Sequence, residues 1–162
     1  MKHPFPKPKY RLSLPLSLLT AVLLAGGITL LALWCQPNSF RTLLSGFLRQ
    51  PLLIVLNALP VGLLLLAAAA LFRNVFFGAA LVNFLAGALS IANRVKMEVR
   101  DEPVFPRDFA LLKEVGSALG SYEIRFPLPQ AGAVMLVTAA FLALGFLIGC
   151  KPFPIERLRG WA

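Results

Sequence analysis

Four long stretches of the chain contain no Asp, Glu, Lys, Arg or His, and this absence limits what the chain can fold into. Each stretch is 18 to 23 residues long. About 20 helical residues, at roughly 1.5 Å each, cross a hydrocarbon layer about 30 Å thick. The sequence therefore predicts an all-α membrane protein with four transmembrane helices. The predicted spans are residues 12–34, 52–72, 75–92 and 131–149.

The segments outside the spans are short. Residues 1–11 and 150–162 are basic tails, and residues 93–130 are the only sizeable polar segment. That segment is too short to build an independent core of ordinary size. We therefore predict one membrane domain over residues 12–149. Its first span is predicted to be a retained helix, because 23 apolar residues exceed a signal-peptide core and Leu33-Trp34-Cys35 offers no small-residue cleavage site.

The net charge of +9 comes largely from residues that flank the spans. Such cations anchor a chain to anionic lipid headgroups and help to set its topology, so we expect membrane lipids and no nucleic acid as partners. The tail cations are Lys2, Lys7, Lys9 and Arg11 before the first span, and Lys151, Arg157 and Arg159 after the last.

Four spans place both termini on one side of the membrane. The cations of the first tail outnumber Arg41 and Arg49 in the next loop, which favours cytoplasmic termini, although the count over all segments is tied. The predicted location is the cell membrane, with residues 93–130 extracytoplasmic. This topology places Cys35 and Cys150 at opposite faces, too far apart for a disulfide. Only Cys35 is then expected to react with an impermeant maleimide in intact cells.

Few polar residues interrupt the spans. The stripe of Ala79, Asn83 and Gly87 favours helix–helix packing, with a substrate-lining role as the alternative. Pro60 predicts a packed kink, or else a gating hinge. The spans carry no ionisable side chain, which argues against a proton- or ion-coupled transporter.

The polar segment after the third span divides into a helix extension, a break and a second helix. Residues 93–100 continue the third helix, and Pro103 and Pro106 form a structural hinge. Asp108 can begin an amphipathic helix that runs to about Gly120 and lies at the outer membrane interface. The alternative is a solvated, salt-bridged loop. The residues proposed to contact lipid headgroups or a partner are Asn93, Lys96, Arg100, Glu102 and Asp108.

The same segment carries a resemblance to a known family. The pattern Asn93…Lys96…Arg100, Glu102-Pro103…Pro106…Asp108 and Leu111-Leu112-Lys113-Glu114 resembles the N-terminal membrane region of lipoteichoic acid synthase-like phosphoglycerol transferases, of the alkaline phosphatase and sulfatase superfamily.

The resemblance implies what the rest of such a protein would do. In that family five spans precede an extracytoplasmic domain with a divalent metal and a threonine nucleophile, which transfers glycerol phosphate from a phosphatidylglycerol-type lipid. The fifth span and the catalytic domain have no counterpart in residues 1–162. The resemblance therefore implies a truncated or split form, with a separately encoded catalytic domain as a possible partner.

The residues themselves predict no catalytic site, metal site or cofactor for this chain alone. His3 lies in the basic tail, and there is no glycine-rich phosphate loop and no nucleophile beside a base. Asp101, Glu102 and Asp108 could bind a divalent cation, although a surface charge network is the simpler interpretation. We expect a membrane anchor or positioning module without activity of its own. The alternative is a small standalone transporter, lipid-export subunit or assembly factor.

Overall fold

The computed structural model describes residues 10–37, 40–105 and 126–150. Within these ranges four helices are long and apolar enough to cross a membrane. The prediction of an all-α membrane protein is confirmed. The helices are α1 (Leu14–Trp34), α2 (Phe40–Arg49), α3 (Pro51–Phe72), α4 (Val75–Arg100) and α5 (Leu128–Leu147), and the short strands are β1 (Tyr10–Leu12) and β2 (Ile148–Cys150).

Three of the spanning helices have proline in their first turn. Pro15, Pro51 and Pro129 occupy the first or second helical position of α1, α3 and α5. The first N–H groups of a helix have no partner within that helix, so proline loses nothing there and its fixed φ favours the helical conformation. The helix α3 is continuous from Pro51 to Phe72 and contains Pro60 in its interior.

The helix α4 lies at the centre of the bundle and packs against α1, α3 and α5. It is the most buried of the four spans. Small side chains dominate the contacts, which allows the helix backbones to approach closely. The main cluster of buried apolar residues is Ala21, Ala25, Ile28, Leu65, Ala68, Ala69, Val75, Ala79 and Val82.

A very short turn joins α3 to α4. Arg73 ends α3 in the left-handed conformation, with φ of 56°. Asn74 then begins α4, and its side-chain oxygen accepts a hydrogen bond from the backbone N–H of Phe76. This connection forces α3 and α4 to be antiparallel neighbours.

The two strands bring the ends of the described chain together. They are parallel, with Arg11 opposite Gly149. We call this the strand end of the bundle, where α1 begins and α5 finishes. The opposite, polar end is where α1 and α4 finish and where α3 and α5 begin.

The predicted amphipathic helix from Asp108 to Gly120 lies outside the described residues, so it stays a prediction. The described residues of the polar end include another amphipathic helix. This is α2, between two spans, which has Phe40, Leu44 and Leu48 on one face. Its other face is polar and carries Thr42, Ser45 and Arg49. Because α2 connects the ends of α1 and α3, this separation suits a helix at the boundary between hydrocarbon and headgroups.

Candidate functional site at the polar end

The last two turns of α4 extend beyond the apolar part of the helix and carry most of the predicted contact residues. The extension to Arg100 agrees with the sequence prediction. The helix ends at Asp101, which has φ of 54° and whose N–H donates to the carbonyl of Met97 at 3.1 Å. Aspartate tolerates this left-handed conformation better than most side chains do. The chain therefore reverses at Asp101, two residues before the predicted hinge residue Pro103.

After this reversal, residues 101–105 lie against the end of α4, and we call them the return segment. Asn93 accepts a hydrogen bond from the backbone N–H of Val104 through Oδ1, at 2.9 Å. Lys96 Nζ donates to the carbonyl oxygen of Pro103 at 2.8 Å. The same ammonium group lies 5.1 Å from the centre of the Phe105 ring, a favourable cation–π distance. Two side chains one turn apart thus hold three consecutive residues.

Asn93 also connects α4 to the chain that follows α1. Its Nδ2 donates to Oε1 of Gln36 at 2.8 Å. Arg94 makes a longer hydrogen bond, of 3.5 Å, from its guanidinium to the Gln36 carbonyl. Asn93 therefore uses its donor and its acceptor on two different segments, which makes it the central residue of this polar cluster.

One ion pair of the cluster lies within α4 itself. Arg94 forms an ion pair with Glu98 one turn later, with Nε and Oε1 2.9 Å apart. Pairs of this spacing contribute about 0.3–0.5 kcal/mol when exposed. The ion pair orients the Arg94 side chain beside the end of α1, and it adds little to the stability of the fold.

Cys35 lies directly below this cluster and is fully buried, with Ile91 and Val134 as its apolar neighbours. Burial raises the pKa of the Cys35 thiol, and the nearby positive charge of Arg94 opposes this in part. The thiol is consequently protonated at neutral pH and a weak nucleophile. Because the Cys35 side chain is buried, the structure does not favour the expected reaction of Cys35 with an added maleimide, and that labelling stays a prediction.

The structure brings only some of the predicted contact residues together. Asn93 and Lys96 share the cluster, while Glu102 is exposed on the return segment. Arg100 ends α4, and nothing further is described for its side chain. Pro106 and Asp108 lie outside the described residues.

Several members of the cluster were missed by the sequence analysis. Gln36 and Arg94 bind across from α1 to α4, and Phe105 lies under the Lys96 ammonium. Local spacing gives no signal for Gln36, because it is 57 residues from Asn93. The sequence does offer a signal for the Lys96–Phe105 contact. When the chain reverses direction directly after a helix, the residues that follow lie against the last turn of that helix.

A second polar contact lies at membrane depth. Asn83 Nδ2 donates to the Thr138 hydroxyl at 2.9 Å and to the Val134 carbonyl at 3.2 Å, which joins α4 to α5. Ala79, Asn83 and Gly87 are all buried. A Cβ on Gly87 would lie 2.5 Å from a Val134 methyl group. The predicted small-residue stripe thus forms a close helix–helix contact, which favours the packing interpretation.

The described residues of the polar end provide hydrogen-bonding groups and charged side chains. Among the described residues no group of three His, Cys, Asp or Glu side chains is placed to hold a metal ion. Comparison of the chain with models of protein families, with curated proteins and with solved structures finds no match. The resemblance to lipoteichoic acid synthase-like transferases therefore stays a prediction.

The hydrogen bond from the Val104 N–H to Asn93 can be tested by amide hydrogen exchange. Replacing Asn93 by alanine removes the acceptor of the Val104 N–H, and we expect amide hydrogen exchange at Val104 to accelerate about two- to tenfold, the range for one net hydrogen bond. Asn93→Asp keeps an acceptor oxygen and should retain protection. Unchanged exchange in the alanine variant would mean that other contacts hold the segment.

Proposed function

We propose that the chain is a membrane anchor that positions an extracytoplasmic domain or partner protein at the membrane surface. The observation that carries this proposal is the double attachment of the return segment to α4, through Asn93 to Val104 and through Lys96 to Pro103. A chain that leaves the last turn of a central helix and is bound again at once has a defined exit point. Such an exit point suits a module whose task is placement.

The polar groups inside the bundle favour anchoring over transport. Thr29 donates to the carbonyl of Ala25 in its own helix, and Asn83 donates both of its amide hydrogens to acceptors on α5. Every buried side-chain nitrogen and oxygen in the described part of the chain has a hydrogen-bond partner. A solute or headgroup pathway needs polar groups that are available to the passing molecule.

The finer assignment follows the family resemblance. We propose that the positioned partner is a metal-dependent, sulfatase-like glycerol phosphate transferase domain of cell-envelope polymer synthesis. The proposed location is the cell membrane, with cytoplasmic termini and the polar end outside. Anionic phospholipid would then surround the polar end, where Arg100 remains a candidate for headgroup contact. Lys96 already donates to the carbonyl of Pro103 and lies over the Phe105 ring, so its first role is to hold the return segment.

Photocrosslinking in cells tests the positioning role. A photoreactive residue in place of the exposed Glu102 should form an adduct with a catalytic domain of the stated class, identified by mass spectrometry. The same residue in place of Leu52, which is 69% exposed on α3, should label lipid. Asn93→Ala should reduce the Glu102 adduct severalfold because the exit point is released. Adducts with lipid alone at both positions would contradict the proposal.

A reconstitution experiment addresses the transport alternative. Purified chain in liposomes is expected to leave the flip rate of fluorescent phospholipid at the value of protein-free liposomes. Accelerated flipping that depends on the protein would favour the lipid-export interpretation and would contradict a pure anchor.

The proposed topology predicts which end of the bundle reacts from outside. In a Cys150→Ser background, Glu102→Cys should react with an impermeant maleimide in intact cells, because residue 102 is exposed at the polar end. Ser13→Cys, exposed at the strand end, should react only after the membrane is permeabilised. The buried Cys35 can remain in place. The opposite labelling pattern would invert the orientation.

A further inference from the structure

Asn57 is an amide exposed on a membrane-spanning helix. It lies six residues after Pro51, where α3 begins, and six residues of helix span about 9 Å. Its side chain is exposed. The apolar residues Leu56 and Leu59 on either side are 61% and 54% exposed. Asn57 therefore lies within the hydrocarbon layer on a part of α3 that the described residues leave uncovered.

The hydrogen bonds of Asn57 are incomplete when compared with those of Asn83 and Asn74. Asn83 uses both of its amide hydrogens on α5. Asn74 uses both of its amide hydrogens and its oxygen. Asn57 makes one hydrogen bond, from Nδ2 to the carbonyl of Leu53 in its own helix, at 2.8 Å. Its oxygen and its second N–H have no partner among residues 10–37, 40–105 and 126–150.

Asn57 belongs to a row of exposed residues along the whole of α3. The spacing alternates between four and three residues, which is the pattern of a helix seam that packs against a second helix. Every member of the row is exposed to its surroundings. The row consists of Leu53, Asn57, Pro60, Leu64, Ala67 and Leu71.

We infer that this row is an interface with a second copy of the chain. A carboxamide is self-complementary, because it carries a donor and an acceptor that can each pair with the same group on an identical helix. A twofold axis along the membrane normal places each residue near the axis opposite its own copy. The two Asn57 side chains then complete each other's hydrogen bonds in hydrocarbon, where no water can do so. An asparagine at one seam position also fixes the register of two helices.

Dilution of the labelled full chain in liposomes tests this dimer. Energy transfer between donor- and acceptor-tagged copies is measured as the lipid-to-protein ratio is raised. Asn57→Leu is expected to increase the dissociation constant about three- to thirtyfold, the range found for hydrogen bonds between membrane helices. Leu59→Ala, exposed on α3 but about 120° around the helix from the middle of the row, should change it less than twofold. A chain that is monomeric at all ratios, or an unchanged constant in Asn57→Leu, would overturn the inference.

Oxidative crosslinking provides a second measurement that does not depend on weakening the dimer. In a Cys150→Ser background, Asn57→Cys should form a disulfide-linked dimer, since the two residues face each other across the axis. Leu59→Cys, which faces away from the row, should remain monomeric under the same conditions. Equal crosslinking at both positions would indicate random collision and would contradict the interface. This inference is independent of the proposed anchoring role, because neither measurement involves the polar end or a partner protein.

Discussion

Replacing Gly78 by alanine is expected to destabilise the bundle by about 1–3 kcal/mol, the usual cost of an extra methyl group in a packed core. A Cβ on Gly78 would lie 2.7 Å from the backbone nitrogen of Ala69 and 3.0 Å from its Cα. Both of these atoms belong to the backbone of α3, so no side-chain rotation can relieve the contact. The short turn at Arg73 and Asn74 also prevents α3 and α4 from separating near their junction.

The matched control for Gly78 is a glycine in open space. No atom lies within 4 Å of a Cβ built on Gly26 or Gly132. Alanine at either position should leave the free energy of unfolding unchanged or raise it by up to about 1 kcal/mol, because alanine is the better helix former. Unfolding in mixed detergent micelles measures all three variants. A Gly78→Ala protein as stable as the Gly132→Ala protein would show that α3 and α4 are not packed this closely.

Replacing Asn74 by alanine is expected to cost about 2–4 kcal/mol of unfolding free energy, from the loss of a helix cap and of two buried hydrogen bonds. Asn74 is 7% exposed. Its Oδ1 caps α4, and its Nδ2 donates to the carbonyls of Gly145 at 2.9 Å and Ile148 at 3.0 Å. One side chain therefore begins α4 and satisfies the end of α5.

Ser13 offers the control for this second variant. It occupies the N-cap of α1 but makes no side-chain capping hydrogen bond. Ser13→Ala should change the unfolding free energy by less than about 0.5 kcal/mol, as is usual for exposed substitutions. If Asn74→Ala were equally mild, water or the polypeptide backbone would have to replace the lost partners at the end of α5.

The four-span architecture could be predicted from the sequence, because the spans are recognised from composition alone. Each predicted span overlaps an observed helix, and the continuation of α4 through residues 93–100 was predicted from the absence of any breaker before Pro103. The bounds differ by a few residues where proline begins a helix. Pro51 and Pro129 start α3 and α5 earlier than the apolar runs suggest, since the first turn of a helix accepts proline and polar residues.

Apart from the stripe of Ala79, Asn83 and Gly87, the contacts between helices were not predictable from local patterns. Asn74 lies in a very short turn, yet its amide donates to carbonyls 71 and 74 residues away. Asn93 and Lys96 were proposed as contact residues because they project, with Arg100, from the end of the third span. The partners of Asn93, which are Gln36 and Val104, depend on how α1 ends and on where the chain reverses. No sequence pattern identifies the left-handed Asp101.

The parallel pairing of β1 with β2 has a consequence for the order of assembly. Tyr10 pairs with Ile148, so this pairing can form only after residue 148 has been synthesised. The antiparallel α3–α4 unit needs only its own short turn and can form soon after it enters the bilayer, since contacts close in sequence are made first. The pairing of β1 with β2 forms last, and it joins the start of α1 to the end of α5. In a ribosome-stalled chain that ends before residue 148, α1 would therefore lack the contact that the β1–β2 pairing provides.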